Sequence, residues 1–558
     1  MEVWTQVYNP LGTLWLSALV AALPIAFFFV TLAVLRWPGY LAGLGTIILT
    51  VVIALAAYGM PAGLALRATA NGMAYGLWPI SWIILNAVFL YKLSVKSGQF
   101  EIIRASVVSI TEDQRLQVIL IGFAFGAFLE GSAGFGAPVA ITAAILAALG
   151  LNPLYAAGLC LIANTAPVAF GALGIPILVA GKTASLDPVL IGKMAGRQLP
   201  LLSLFVPFFL VWLMDGFKGV RDTWPAILVA GGAFAVTQYF TSNYIGPELP
   251  DITSALVCLV ATTAFLKVWH PARSFVFAGA KGTVVSKHVP VGAQMADRVR
   301  YSTAEILKAW SPFIILTAVV VVWSLPAFKA LVAAGGSLNF TVLSFKIPGL
   351  HEAVIRVAPV VAKDTPYAAI YSLDLLSATG TGILLSALLS MLVLGISIRD
   401  GIGVFKDTFV DLIKPIFTIS CVLGFAFIAN YSGISATLAL ALASTGQLFP
   451  FFAPMLGWLG VFLTGSDTSS NALFSSLQAT TAHQIGVSDI LMVAANSTGG
   501  VTGKMISPQS IAVACAAVGL VGRESELLRF TVKWSVLFLL IICVITSLQA
   551  YLLTWMIP

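Results

Sequence analysis

Phe128-Leu129-Glu130-Gly131-Ser132 returns 334 residues later as Phe462-Leu463-Thr464-Gly465-Ser466, and both copies lie in runs apolar enough for a lipid interior. The pairing extends outward from this centre. On the N-terminal side, Trp78-Pro79-Ile80 answers Lys414-Pro415-Ile416, and Ser97-Gly98 answers Ser432-Gly433. On the C-terminal side, Asn164-Thr165, Gly171, Pro176 and Arg197 answer Asn496-Ser497, Gly503, Pro508 and Arg529 at a constant offset of 332. Gly, Pro and small polar residues at matching places in two halves of a membrane chain mark helices interrupted at mid-depth. Interruption frees backbone groups that can hold a solute.

Composition sets the solvent. Hydrophobic residues make up 59% of the chain and charged residues 9%, against about 25% charged in a soluble domain. A span needs about 20 apolar residues. By that measure candidate crossings lie near 12–35, 39–59, 71–91, 153–181, 198–216, 223–242, 251–268, 310–328, 372–395, 414–430, 487–514 and 531–555. Two further apolar stretches, 118–149 and 450–484, carry Gly, Ser and Pro in the middle and read as re-entrant hairpins, with ordinary pairs of short crossing helices as the alternative. The predicted fold is therefore an all-α polytopic membrane protein with about 12 full crossings, or 12 to 14 membrane segments. It comprises two inverted repeats, 1–217 and 309–558, a connecting helix pair 218–268 and a polar loop 269–308. The spans 153–181 and 487–514 are predicted to be broken. Short segments after the matched Ser-Gly, at 98–113 and 433–447, read as helical arms at the membrane surface.

Basic residues orient the chain. With the N-terminus outside, segments assigned to the inside hold 20 of the 29 Lys and Arg, from Arg36 through the cluster Lys267–Lys308 to Lys533. This favours both termini outside and 269–308 in the cytoplasm. No cleavable signal is apparent at the N-terminus. The five cysteines have no CxxC pairing and read as small buried hydrophobes. The four histidines are scattered; there is no GxSxG elbow, HExxH or P-loop. An enzyme, a metal centre, a cofactor and ATP-driven transport are not expected, nor is a nucleic-acid partner.

Four polar clusters remain inside the apolar runs. They are Glu130-Gly131-Ser132-Ala133-Gly134; Asn164-Thr165; Ser466-Asp467-Thr468-Ser469-Ser470-Asn471; and Asn496-Ser497-Thr498 followed by Lys504. Gly and Pro let backbone leave the helix, and a freed helix N-terminus attracts an anion. Two hairpin tips facing two unwound spans would enclose a polar chamber, with Gly131, Ser132, Gly134, Asn164, Thr165, Ser466, Thr468, Ser469, Asn471, Asn496, Ser497, Thr498 and Lys504 as candidate substrate ligands. A lone Ser, Thr or Gly in a membrane helix serves close packing or bonds its own backbone; the duplication favours a site. Ionisable groups at mid-membrane are costly and functional by default. Glu130 and Asp467 are thus the candidate proton-coupling groups, and Lys504 the partner for a carboxylate. A lock pairing Lys504 with Asp467 is the alternative.

These strings resemble the bacterial L-lactate permease family along nearly the whole chain. They include LGTLWLS at 11–17, GAFLEGSAGFGAPVAIT at 126–142, NTAPVAFGALGIPILVAG at 164–181, GPELPDI at 246–252, FLTGSDTSSNALF at 462–474 and STGGVTGKMISPQSIA at 497–512. The resemblance implies proton-coupled uptake of L-lactate, with D-lactate and glycolate as co-substrates, in the bacterial inner membrane. It also implies kinship with ion transporters whose paired hairpins and broken helices move as an elevator, and a homodimer is compatible with it. A channel or a membrane sensor fits less well: the halves are inverted, and there is no soluble output domain. Within carriers, Na⁺ symport of a related carboxylate is the alternative, favoured by the hydroxyls at Ser466–Asn471.

Overall fold

The computed structural model describes residues 3–31, 35, 37–132, 134, 137–278, 283–284, 301–333, 335–361, 363–520 and 523–558. Arg36, Ala133 and half of the 269–308 loop, with Lys281, Lys287, Arg298 and Arg300, lie outside the described residues. The described chain is almost wholly helical. Among its residues, eight helices are long and apolar enough to cross a membrane, or nine counting one bent pair, and five shorter apolar helices of 10–17 residues join them.

Both apolar stretches around the quoted pentapeptides fold back on themselves. In the first, the helical run Gln114–Ser132 turns and returns as Ala137–Ala148. A methyl at Gly126 would lie 3.7 Å from Thr142 Cγ2, and one at Gly122 3.6 Å from Leu146 Cδ1, so the arms run antiparallel. In the second, Phe449–Thr464 turns at Gly465 (φ +70°) into Asp467–Ile485. Ser470 Oγ donates to the Gly457 carbonyl at 3.0 Å, and Gln478 Nε2 to that of Ala453 at 2.8 Å.

The spans after each hairpin break differently. Pro153–Ala163 and Val168–Ala184 meet at 64°, and just beyond the bend Ala172, Leu173 and Gly174 all take positive φ (45°, 59° and 73°). Left-handed geometry costs L-residues roughly 1–2 kcal/mol each, and such strain collects at functional sites. The second span departs from expectation. Asn496-Ser497-Thr498-Gly499-Gly500 was expected to unwind, but helix Asp489–Lys504 runs through it. The break comes at 505–507, where Ser507 caps Pro508–Ala517. The glycines here serve contact: a methyl at Gly499 would lie 2.1 Å from the Pro454 carbonyl oxygen, and one at Gly503 2.4 Å from that of Trp458. Glycines four apart let the span press backbone to backbone on the second hairpin.

Two more features differ from the sequence reading. Crossings five and six form one helical run, Pro188–Tyr244, folded at Gly216 (φ +62°), so that Ser203 Oγ donates to Gln238 Oε1 at 2.7 Å. The 330–371 loop, to which the sequence assigned no role, is ordered by short strands. Val342–Lys346 pairs antiparallel with Ile370–Asp374, and Trp4–Thr5 pairs parallel with Val354–Ile355.

Candidate substrate chamber

A cavity of about 610 Å³ lies between the hairpin turns and the breaks of both spans. Ligand sites commonly fall between roughly 300 and 1,000 Å³. Its polar wall is formed by Glu130, Gly134, Thr464, the turn Ser466–Ser469, Lys504 and Gln509. It reaches the surface between Trp37, Tyr40 and Lys414. A second cavity of about 460 Å³, on the side of the 330–371 loop, is lined by Asn71, Tyr75, Lys182, Tyr367, Asp374 and Asn430. There burial raises the Asp374 carboxyl above the usual carboxylate range, against the pull of Lys182. The span Pro176–Thr183 separates the cavities. Asn471 Nδ2 donates to the Pro176 carbonyl at 3.1 Å, and Asn430 Nδ2 to that of Thr183 at 3.1 Å.

Charge is concentrated at the centre. Lys504 Nζ lies 3.2 Å from Glu130 Oε1, and both side chains are buried. Lys504 therefore pairs with Glu130, not with Asp467, among the described residues. Ala172 occupies the place in the first repeat that Lys504 occupies in the second, and it lines the same chamber. The other Glu130 oxygen, Oε2, is buried with no hydrogen-bond partner. A methyl at Gly171 would lie 3.0 Å from Oε1, so the glycine keeps room for the carboxylate.

Asp467 is held differently. Its Oδ2 accepts from Ser497 Oγ and from Asn471 Nδ2. Asn471 accepts from Asn496 Nδ2 at 2.9 Å, and Asn496 from Gln478 Nε2 at 3.2 Å. Asp467 Oδ1 has no partner and faces Gly500, where a methyl would lie 2.3 Å away. Ser466 caps the helix that starts at Asp467 by accepting from the Ser469 N–H.

The candidate residues thus separate into three groups. Glu130, Gly134, Ser466, Asp467, Thr468, Ser469 and Lys504 line the chamber. Asn471, Asn496 and Ser497 form the buried network behind Asp467, while Thr498 turns to Gln198 of the first repeat, its hydroxyl donating at 2.6 Å. Ser132 and Thr165 bond carbonyls of their own helices, Gly131 packs on Asp251 and Ile252, and Asn164 is buried with neither amide atom bonded. His483 is exposed and paired with Asp489 at 3.0 Å. The sequence reading missed Gln198 and the fully buried Asp251. A carboxylate at the head of an apolar run was the available signal for Asp251.

A helical multi-pass membrane chain, folded around a chamber open on one side with one buried cation and two buried carboxylates, has the make-up of a permease. The L-lactate permease family model matches residues 17–553, and the chain belongs to that family. It is 62% identical over 564 residues to the glycolate permease GlcA of Escherichia coli strain K12, with all of both chains covered. It is 60% identical over 558 residues to an L-lactate permease of Salmonella typhi, again with full coverage. Among solved structures, an alignment to MtrF of Neisseria gonorrhoeae, from a study of antimetabolite efflux pumps, covers 94% of this chain and 97% of that one at 13% identity and a TM-score of 0.49.

Proposed function

We propose that the chain takes up L-lactate, and also D-lactate and glycolate, across the bacterial inner membrane by proton symport. The observation that carries this reading is the buried charge of the chamber: one buried cation, Lys504, against two buried carboxylates, Glu130 and Asp467, with Lys414 exposed at the mouth. A substrate carboxylate would bring the count of negative charges to three in a site walled off from water on one side. Unpaired charge in such a place costs several kcal/mol, so binding of the anion is linked to protonation of one of the acids. In the bound state Lys504 takes the substrate carboxylate as a flexible point charge, and the proton rests on Glu130 or Asp467. Basic-residue placement puts Lys414, and with it the chamber mouth, on the cytoplasmic side, so this conformation is inward-facing. Alternating access follows if the hairpins and broken spans move together past the Pro176–Thr183 barrier.

Na⁺ symport is the second reading. It is favoured by the bare Asp467 Oδ1 beside the hydroxyls of the 464–469 turn. Uptake of labelled lactate into proteoliposomes separates the two. Accumulation is expected under an inward pH gradient without Na⁺, whereas accumulation only under a Na⁺ gradient would transfer the coupling to Na⁺.

A further inference from the structure

We propose that Asp251 carries the coupled proton from an outer cavity to Glu130, along a route separate from the path of the substrate. The inference rests on the proton-symport reading and adds a residue and a direction to it. Asp251 is 0% exposed, and among the described residues neither of its carboxylate oxygens has a hydrogen-bond partner. It sits in the first turn of helix Pro250–Leu266, where an acid ordinarily accepts from the free N–H groups; Asp251 does not. A dry carboxyl without donors is costly in its charged form. Its placement suits a group that takes up a proton and releases it again.

Its surroundings supply both ends of a route. On one side is the first hairpin: a methyl at Gly131, next to Glu130, would lie 2.7 Å from Asp251 Cβ. Glu130 commits Oε1 to Lys504 and leaves Oε2 without a partner. On the other side, three residues back, Glu248 lines a cavity of about 230 Å³ with Lys329, Asp374, Ser377 and Thr379. Asp374 also lines the 460 Å³ cavity, so the two outer cavities share a wall. Asp251 lines none of these cavities, nor the chamber. Other charged groups on elements near it are engaged elsewhere: Arg197 with Asn243 and the Met556 carbonyl, and Lys182 over the Tyr75 ring.

The transfer balances. A proton from the outer cavity moves through Glu248 to the Asp251 carboxylate. Asp251 passes it to Glu130 Oε2 and returns to its carboxylate form. Glu130 then releases it into the chamber when the chamber faces the cytoplasm. Glycine at 131 is required because any side chain there would push the hairpin off Asp251.

Full-length protein in proteoliposomes tests the route. Asp251→Asn should retain exchange of labelled against unlabelled lactate at equal pH within about twofold, and lose at least tenfold in accumulation under a pH gradient. Accumulation equal to that of the unaltered chain would overturn the proposal. If Asp251→Asn shows no exchange, Glu248→Gln decides. A pH-driven initial rate at least threefold lower with exchange unchanged supports the route; an unchanged rate overturns it. An unaltered chain that exchanges lactate yet ignores the pH gradient would instead overturn proton symport itself.

Discussion

Asn164 and Asn496 occupy the same place in the two repeats, and their surroundings differ. Asn496 donates to Asn471, accepts from Gln478 and stands one residue from the serine that holds Asp467. Asn164 is equally buried, yet neither its amide oxygen nor its nitrogen is bonded. The contrast extends to the hairpins. Asp467 is tied into a network spanning two helices, and Glu130 has one ion pair and one bare oxygen. Duplication supplied one frame, and divergence tied Asn496 and one Asp467 oxygen into a network while leaving the Asn164 amide and Glu130 Oε2 without partners among the described residues. Unsatisfied buried groups are expensive, so the Asn164 amide and Glu130 Oε2 mark places where substrate, proton or movement supplies the missing partner.

The strongest way to break this comparison acts on the pair that joins the halves. Lys504→Met strands the buried Glu130 carboxylate and should cost about 3–5 kcal/mol of stability, together with lactate binding. Adding Glu130→Gln should return most of the stability without the binding. Thermal unfolding and calorimetric titration with lactate read the two effects. Binding restored in the double variant would place the substrate carboxylate elsewhere.

Glycine substitutions sharpen the difference in bracing. A methyl at Gly457 would lie 1.8 Å from the Asn496 carbonyl oxygen, so Gly457→Ala should destabilise by about 1–3 kcal/mol. Gly171→Ala in the first half meets chiefly the Glu130 carboxylate at 3.0 Å. It should leave the melting temperature nearly unchanged and slow uptake. Equal losses of stability at both positions would contradict the contrast.

The smallest expected effect on stability comes from the asparagines themselves. Asn496→Ala removes the donor to Asn471 Oδ1 and one acceptor of Gln478 Nε2 and should cost about 1–3 kcal/mol. Asn164→Ala removes a group that has no partner and should shift stability by no more than about 1 kcal/mol, while uptake of labelled lactate falls at least tenfold. Wild-type uptake in Asn164→Ala would make that amide a bystander.

What could be read in the sequence was whatever repeats locally. Gly, Ser and Pro in the middle of 118–149 and 450–484 marked both stretches as hairpins, because those residues act on their own backbone. The same rule misread Asn496–Gly500, since glycine serves backbone contact as well as unwinding and only Pro454 and Trp458, some 40 residues earlier, distinguish the two. Lys504 stood out as a lone cation, but its partner Glu130 lies 374 residues away, and spacing alone favoured the nearer Asp467. Asp251 belongs to the connector, which has no counterpart in the repeat and so drew no signal from it.

The linkage between substrate and proton can be measured without a membrane. Purified protein in weakly buffered detergent solution, titrated with lactate near neutral pH, should take up close to one proton per lactate bound, and the uptake should vanish when Glu130→Gln and Asp467→Asn are combined. Lactate binding with no proton uptake at any pH between 5 and 8 would contradict the account of the chamber as a site where one carboxylate enters with one proton.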